Sequence, residues 1–183
     1  MKNTAVRKQV VASVIVMSAF SLYATGCSDD KGNYTTPSSL CGIHISPELL
    51  KPVLPPGESV STIPTSTAWN KRCRLQVDTK PVFAATIEWW EAVDTLESVA
   101  ADAIGVDPHD KKTPDRHYIY AKTGAVGLVE CPNQRDLKRK LFVSVRTKHT
   151  SATEMQMKKL ITSYSTSVAS SKECKRQWGY GSK

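Results

Sequence analysis

The chain has no Cys-x-x-Cys pair, no His-Glu-x-x-His, no Gly-x-Ser-x-Gly and no glycine-rich phosphate or dinucleotide loop. The first absence excludes zinc ribbons and thioredoxin-type redox centres, which need two closely spaced thiols. The others remove the usual signatures of zinc peptidases, nucleophile-elbow hydrolases, P-loop proteins and dinucleotide enzymes. The four histidines, His44, His109, His117 and His149, form no i, i+4 pair. His109 between Asp107 and Asp110 comes nearest to a metal set, but it lies in a polar loop with two prolines and reads as solvated. Neither a cofactor nor a metal is expected. Acidic residues are few, 17 against 25 Lys and Arg, for a net charge of +8. No apolar run reaches the roughly 20 residues of a membrane-spanning helix. At 183 residues and 40% hydrophobic, the chain is too short for a barrel enzyme and too apolar for wholesale disorder, so one domain is expected.

The longest apolar run occupies residues 10–24 and follows Lys2, Arg7 and Lys8 with no acid among them. A basic head and a short apolar body are the plan of a secretory signal. The run ends in Ala24-Thr25-Gly26-Cys27. This resembles the lipobox of bacterial lipoproteins, in which small residues precede a cysteine that is lipidated and becomes the first mature residue. Ala24 stands where the usual leucine would be. The resemblance implies removal of residues 1–26, a lipid on Cys27 and anchorage on the extracytoplasmic face of the cell membrane. An ordinary signal peptide cleaved near Ala24 or Gly26 is the alternative. Residues 27–39 are polar, contain Gly and Pro, and read as a flexible tether; residues 40–183 read as the folded domain.

Five cysteines in an exported chain leave one over. With Cys27 lipidated, Cys41, Cys73, Cys131 and Cys174 form an even set suited to an oxidising compartment. Of the three possible pairings, Cys41 with Cys73 and Cys131 with Cys174 is expected, each pair bracketing one end of the domain.

Ser46-Pro47-Glu48 opens a short helix, with Pro at the first helical position. The prolines and glycine of residues 52–64 then suggest an extended, turn-rich stretch. Residues 72–77 and 82–90 read as a β-hairpin turning at 78–81. A rival reading makes 82–104 one helix. Asp94-Thr95-Leu96-Glu97 favours a break there and a helix over about 95–104, with Gly105 beyond its end. Short strands follow at 117–120 and 125–130. Residues 140–147 alternate strictly, Leu141, Val143 and Val145 against Phe142, Ser144 and Arg146. Ser151 to Glu154 has the form of a second capping box, and Met157, Leu160, Ile161, Tyr164 and Val168 form an apolar helical stripe reaching about residue 170. The expected fold is α+β: an antiparallel sheet of about five strands flanked by helices, in the order α-β-β-α-β-β-β-α, with two disulfides.

Leu40-Cys41-Gly42, Pro55-Pro56-Gly57, Cys73-Arg74, Glu88-Trp89-Trp90-Glu91, Tyr118-Ile119-Tyr120 with Gly124-Ala125-Val126-Gly127, and Cys131-Pro132 together resemble small Streptomyces-type cell-surface lipoproteins of actinomycetes. The likeness covers most of the mature chain and brings no assigned activity with it. The element order is also similar to PsbP-like lipoproteins, which bears on fold alone.

Two sets of residues are candidates for ligand binding. Trp89 and Trp90 point to opposite faces of a strand, so one is core and the other is free to join Tyr118 or Tyr120 in an aromatic platform for a sugar or peptide; core packing of both is the plainer alternative. Lys138, Arg139 and Lys140 lie in a strongly basic region: residues 131–183 hold 12 basic and 3 acidic residues, whereas 27–130 hold 10 basic and 14 acidic. Such a patch suits an anionic wall polymer, lipid headgroups or an envelope protein, or simply keeps the domain soluble. Nucleic acid suits an exported, anchored chain poorly. The sequence thus points to a lipid-anchored binding or structural module of the cell envelope without catalysis. The rival is an envelope hydrolase acting on wall material, its site assembled from distant residues.

Overall fold

The structure, a computed structural model, describes residues 32–132, 138–149 and 151–175. The signal segment, Cys27 and the first residues of the tether lie outside the described residues. The elements are β1 (Ser39–Leu40), β2 (Ile43–His44), α1 (Pro47–Leu50) with a 3-10 turn at Lys51–Val53, β3 (Val60–Ser66), β4 (Asn70–Val77), β5 (Lys80–Glu91), α2 (Leu96–Asp102), β6 (Lys111–Lys112), β7 (Tyr118–Tyr120), β8 (Gly124–Val129), β9 (Arg139–Thr147), α3 (Glu154–Ala169) and α4 (Lys172–Lys175). Strands β3 to β9 form one antiparallel sheet in the order β3-β4-β5-β9-β8-β7-β6, and β1 and β2 form a separate ribbon. The class is α+β, as expected. Among the described residues no helix is long and apolar enough to cross a membrane.

The sheet is wider than the expected five strands, and the additions are all at its margins. β3 occupies the end of the stretch whose prolines and glycine suggest turns; it contains Pro64 and buries none of its residues. An edge strand needs partners on one side only, so it tolerates proline and carries no apolar alternation. β6 is two exposed lysines, and the β1–β2 ribbon precedes the helix expected to come first. The ribbon turns on Cys41 and Gly42, both in the left-handed region (φ 50° and 92°), which glycine enters freely. The β4–β5 hairpin turns in the same way on Asp78 and Thr79 (φ 49° and 67°), two residues instead of the expected four.

Both helix starts lie later than expected. Thr95, not Asp94, caps α2, with Ser98 as its reciprocal partner. Asp94 instead accepts a hydrogen bond from the Glu91 amide (3.0 Å) and closes the turn out of β5. Thr153, not Ser151, caps α3 and pairs with Gln156. In each case several hydroxyl or carboxylate side chains are adjacent, and the fold uses the one nearest the apolar stripe. α2 also ends sooner than expected, at Asp102.

The two sheet faces are covered unequally. One carries Leu75, Phe83, Ile87, Leu141, Val143 and Val145, on which α3 lays the stripe from Met157 to Val168; α1 and the ribbon add Leu40, Ile43 and Leu50. Tyr164 is 1% exposed at the centre, where burial raises its hydroxyl pKa. Gly127 lies beneath the Tyr118 ring; a Cβ there would come within 2.7 Å of it. Each fully buried Leu or Ile on this side contributes roughly 1.5–3 kcal/mol. The other face has a small cluster of Leu96, Val99, Ala100, Ile119, Val126 and Phe142 under α2. Seven strands about 4.8 Å apart span about 29 Å. A seven-residue helix is about 10 Å long and about as wide. α2 therefore cannot cover the whole face; among the described residues no helix lies over the β3-β4 side, where Arg72 and Arg74 are exposed, while Ala84 and Thr86 of β5 are buried beside it.

Disulfides join Cys41 to Cys73 and Cys131 to Cys174. The first ties the ribbon to β4; the second ties the end of β8 to α4. The stretch expected as tether is held from Asn33 onward. Its amide donates to the Gly57 carbonyl (2.7 Å), and the Tyr34 hydroxyl donates to the Pro55 carbonyl (2.6 Å). Burial, with the Asp78 charge nearby, raises the Tyr34 pKa. Tyr34 supplies an apolar ring that composition alone hid among polar neighbours.

Candidate ligand-binding face

Strand register builds the open face. Arg74 pairs with Ala84, and Ala84 with Arg146; Arg72 pairs with Thr86, and Thr86 with Ser144; Asn70 pairs with Glu88, and Glu88 with Phe142. Each triplet is a row across β4, β5 and β9. Two strand spacings put the Cα atoms of Arg74 and Arg146 about 10 Å apart, across the short side chain of Ala84. The result is a trough with a floor of Ala84, Thr86 and Ser144, arginines on both banks, and the end of α2 as a third wall.

The trough is a groove of about 180 Å³ lined by Arg72, Arg146, Glu88, Trp90 and the α2 residues Asp102 and Ile104, among others. A second hollow, lined by Thr65, Thr67, Asn70, Arg72 and Arg74, adjoins it toward the β3 edge. Arg72 belongs to both, so the two make one track across the strands. Arg72 and Arg74 are exposed and Arg146 is half-buried. Among the described residues no carboxylate forms an ion pair with any of the three. Glu88 accepts from the Asn70 amide instead.

The residues singled out from sequence are dispersed. Trp89 packs in the α3-side core at 9% exposure, and Trp90 lies half-buried against the α2 cluster, lining the groove. Tyr118 and Tyr120 pack against the α3-side core. Trp90 and the two tyrosines are thus on opposite faces, and no shared platform forms. Alternation along β5 and β7 decides this, because Trp90 and Ile119 point one way and Trp89, Tyr118 and Tyr120 the other. The basic triplet is largely tied into the fold. The Arg139 guanidinium lies 4.2 Å from the Trp69 ring centroid and 3.2 Å from the Glu91 carboxylate. The Lys140 ammonium donates to the Asp94 carbonyl at 2.9 Å. Lys138 is exposed at the entrance to β9.

Other polar groups are engaged locally. Lys71 meets Glu173 at 2.5 Å, the carboxylate being 4% exposed. His117 lies between Asp115 (3.4 Å) and Glu130 (3.0 Å). The Thr113 hydroxyl and the His117 amide hold the Asp115 pKa below its ordinary value. His109 bonds Asp107 at 2.9 Å in the exposed loop. Among the described residues no group of three or more His, Cys, Asp or Glu is placed to hold a metal ion.

Arg72, Arg74, Arg146 and Thr86 were not candidates from sequence. A signal was present: the arginines alternate with Cys73 and Leu75 on one strand and with Val145 on the other. Alternation marks a wet face, but only the register brings Arg146 opposite Arg74. No protein-family model, no curated protein and no solved structure matches the chain.

Proposed function

We propose that this protein is an exported, lipid-anchored module of the cell envelope that binds a ligand on the open face of its sheet and performs no catalysis. The observation that carries the reading is the contrast between one face sealed by α3 and another left with an arginine-banked groove. The basic head, apolar body and Cys27 support export and lipidation, and two disulfides suit an oxidising compartment. Because the chain is held from Asn33, about six residues separate it from Cys27, a reach of at most about 20 Å. An anchored domain would sit close to the bilayer, its groove facing neighbouring envelope components.

Two measurements test this. Cys27→Ala in expressing cells should move the protein from the membrane fraction to the soluble one; unchanged retention defeats the anchor. The purified full chain should bind isolated envelopes without releasing soluble products from them. Failure to bind, or steady product release, defeats the binding-module reading.

A further inference from the structure

We propose that the open track binds an extended polymer carrying repeated phosphate groups, with Arg72 shared by the groove and the adjoining hollow and with Arg74 on β4 and Arg146 on β9 placed along it. This rests on the binding-module reading and names the ligand class of the same site.

Three observations support it. Strand register places the three arginines around Ala84, Thr86 and Ser144, small residues that line the groove although Ala84 and Thr86 are themselves buried. Among the described residues, neither these guanidiniums nor the Thr86 and Ser144 hydroxyls have an internal hydrogen-bond or ion-pair partner. Donors therefore come from two banks and from below. That arrangement matches a tetrahedral oxyanion with oxygens on several sides better than a planar carboxylate, whose two oxygens one guanidinium fork already satisfies. Finally, the groove and the adjoining hollow share Arg72 and run across β4, β5 and β9, so the track is longer than one phosphate. Glu88, on β5 beside Asn70, and Asp102, at the end of α2, also line the groove and oppose an anion at those two places. They confine it to the arginine side and give the proposal a sign that general basicity would not produce.

The test is binding of the purified full chain to inorganic polyphosphate of defined length, followed by fluorescence anisotropy. Parallel arms use inorganic phosphate, polyglutamate and anionic phospholipid vesicles. Polyphosphate should bind more tightly than all three. Arg72→Gln and Arg146→Gln should each weaken it about tenfold or more with unchanged melting temperature. Each should also lower the dependence of log K on log salt by about one. Glu88→Gln should tighten binding about two- to fivefold. Lys158→Gln with Lys159→Gln, on α3, should change it by less than about twofold.

Equal binding of polyglutamate or vesicles overturns the phosphate-polymer assignment, and equal binding of free phosphate overturns the extended track. Equal loss in the α3 double variant reduces the effect to diffuse charge and overturns the site. Envelope binding separates the two levels. If Arg72→Gln/Arg146→Gln still binds isolated envelopes like the parent, this assignment fails and the binding module stands elsewhere on the surface. If the parent binds none, both fail.

Discussion

The same strands present two unlike surfaces. On β9, Leu141, Val143 and Val145 are at most 2% exposed beneath α3, whereas Ser144 and Arg146 on the alternate positions remain half-open. On β4, Cys73 and Leu75 are buried while Arg72 and Arg74 are exposed. The difference lies in what each face is given to pack against. The sixteen-residue α3, assisted by α1 and the ribbon, spans the sheet on one side; the seven-residue α2 covers only the β7-β8-β9 side of the other. Most of the buried apolar side chains therefore lie on one face, and the part of the other face beyond the α2 cluster carries charge that the core does not need.

That division can be broken or sharpened by substitution. The largest effect belongs to the sealed face: Leu160→Ala should cost about 3–4 kcal/mol by chemical denaturation, since a buried leucine leaves a cavity that close packing cannot refill. A loss below about 1 kcal/mol would mean that α3 is not the main clamp. Next comes the bridge at the end of the same helix. Cys131→Ser with Cys174→Ser should cost about 2–4 kcal/mol, read as a lower denaturation midpoint. Thr153→Ala removes the α3 cap and should cost about 1 kcal/mol, whereas Ser151→Ala should cost far less. The reverse order would restore the cap expected from sequence.

A smaller effect is expected at acid pH. Asp78 accepts from the amides of Ser59 (2.9 Å) and Glu58 (3.0 Å), joining the hairpin turn to the start of β3. These bonds hold its pKa below the ordinary 3.8. A group with a depressed folded pKa stabilises fully above its unfolded value and loses that contribution as pH falls through the folded value. Asp78→Asn should therefore lower the melting temperature at neutral pH and make the loss below about pH 4 shallower; parallel parent and variant curves would remove Asp78 from the account. The smallest effect belongs to the open face. Arg146→Gln should change stability by no more than about 0.5 kcal/mol, and a larger loss would make the arginine structural instead of free for a ligand.

Much of the interior was legible because periodicity encodes burial directly. The α3 stripe and the alternation of β9 both mark the sealed face through the spacing of their apolar residues alone. The margins were not. β3 lacks an apolar pattern because an edge strand has little to bury, and β6 is too short to produce one. The caps were displaced because Asp94, Thr95 and Ser98, or Ser151 and Thr153, offer competing oxygens, and the choice depends on where the helix docks. Adjacent Trp89 and Trp90 point to opposite faces, as alternation along a strand requires, but local sequence does not show which face Tyr118 and Tyr120 share.

By itself the sequence determined the class of fold, the division of β9 into an apolar and a polar edge, the stripe that α3 buries and the polarity of charge along the chain. Those follow from local periodicity and composition, which are properties of consecutive residues. Only the tertiary structure decided that Arg74 and Arg146, 72 positions apart, stand on either side of Ala84, and that α2 is too small to cover them. Register joins residues through backbone hydrogen bonds between distant strands, and coverage depends on the length of one element against the width of another. Neither quantity is written in any single stretch of the chain.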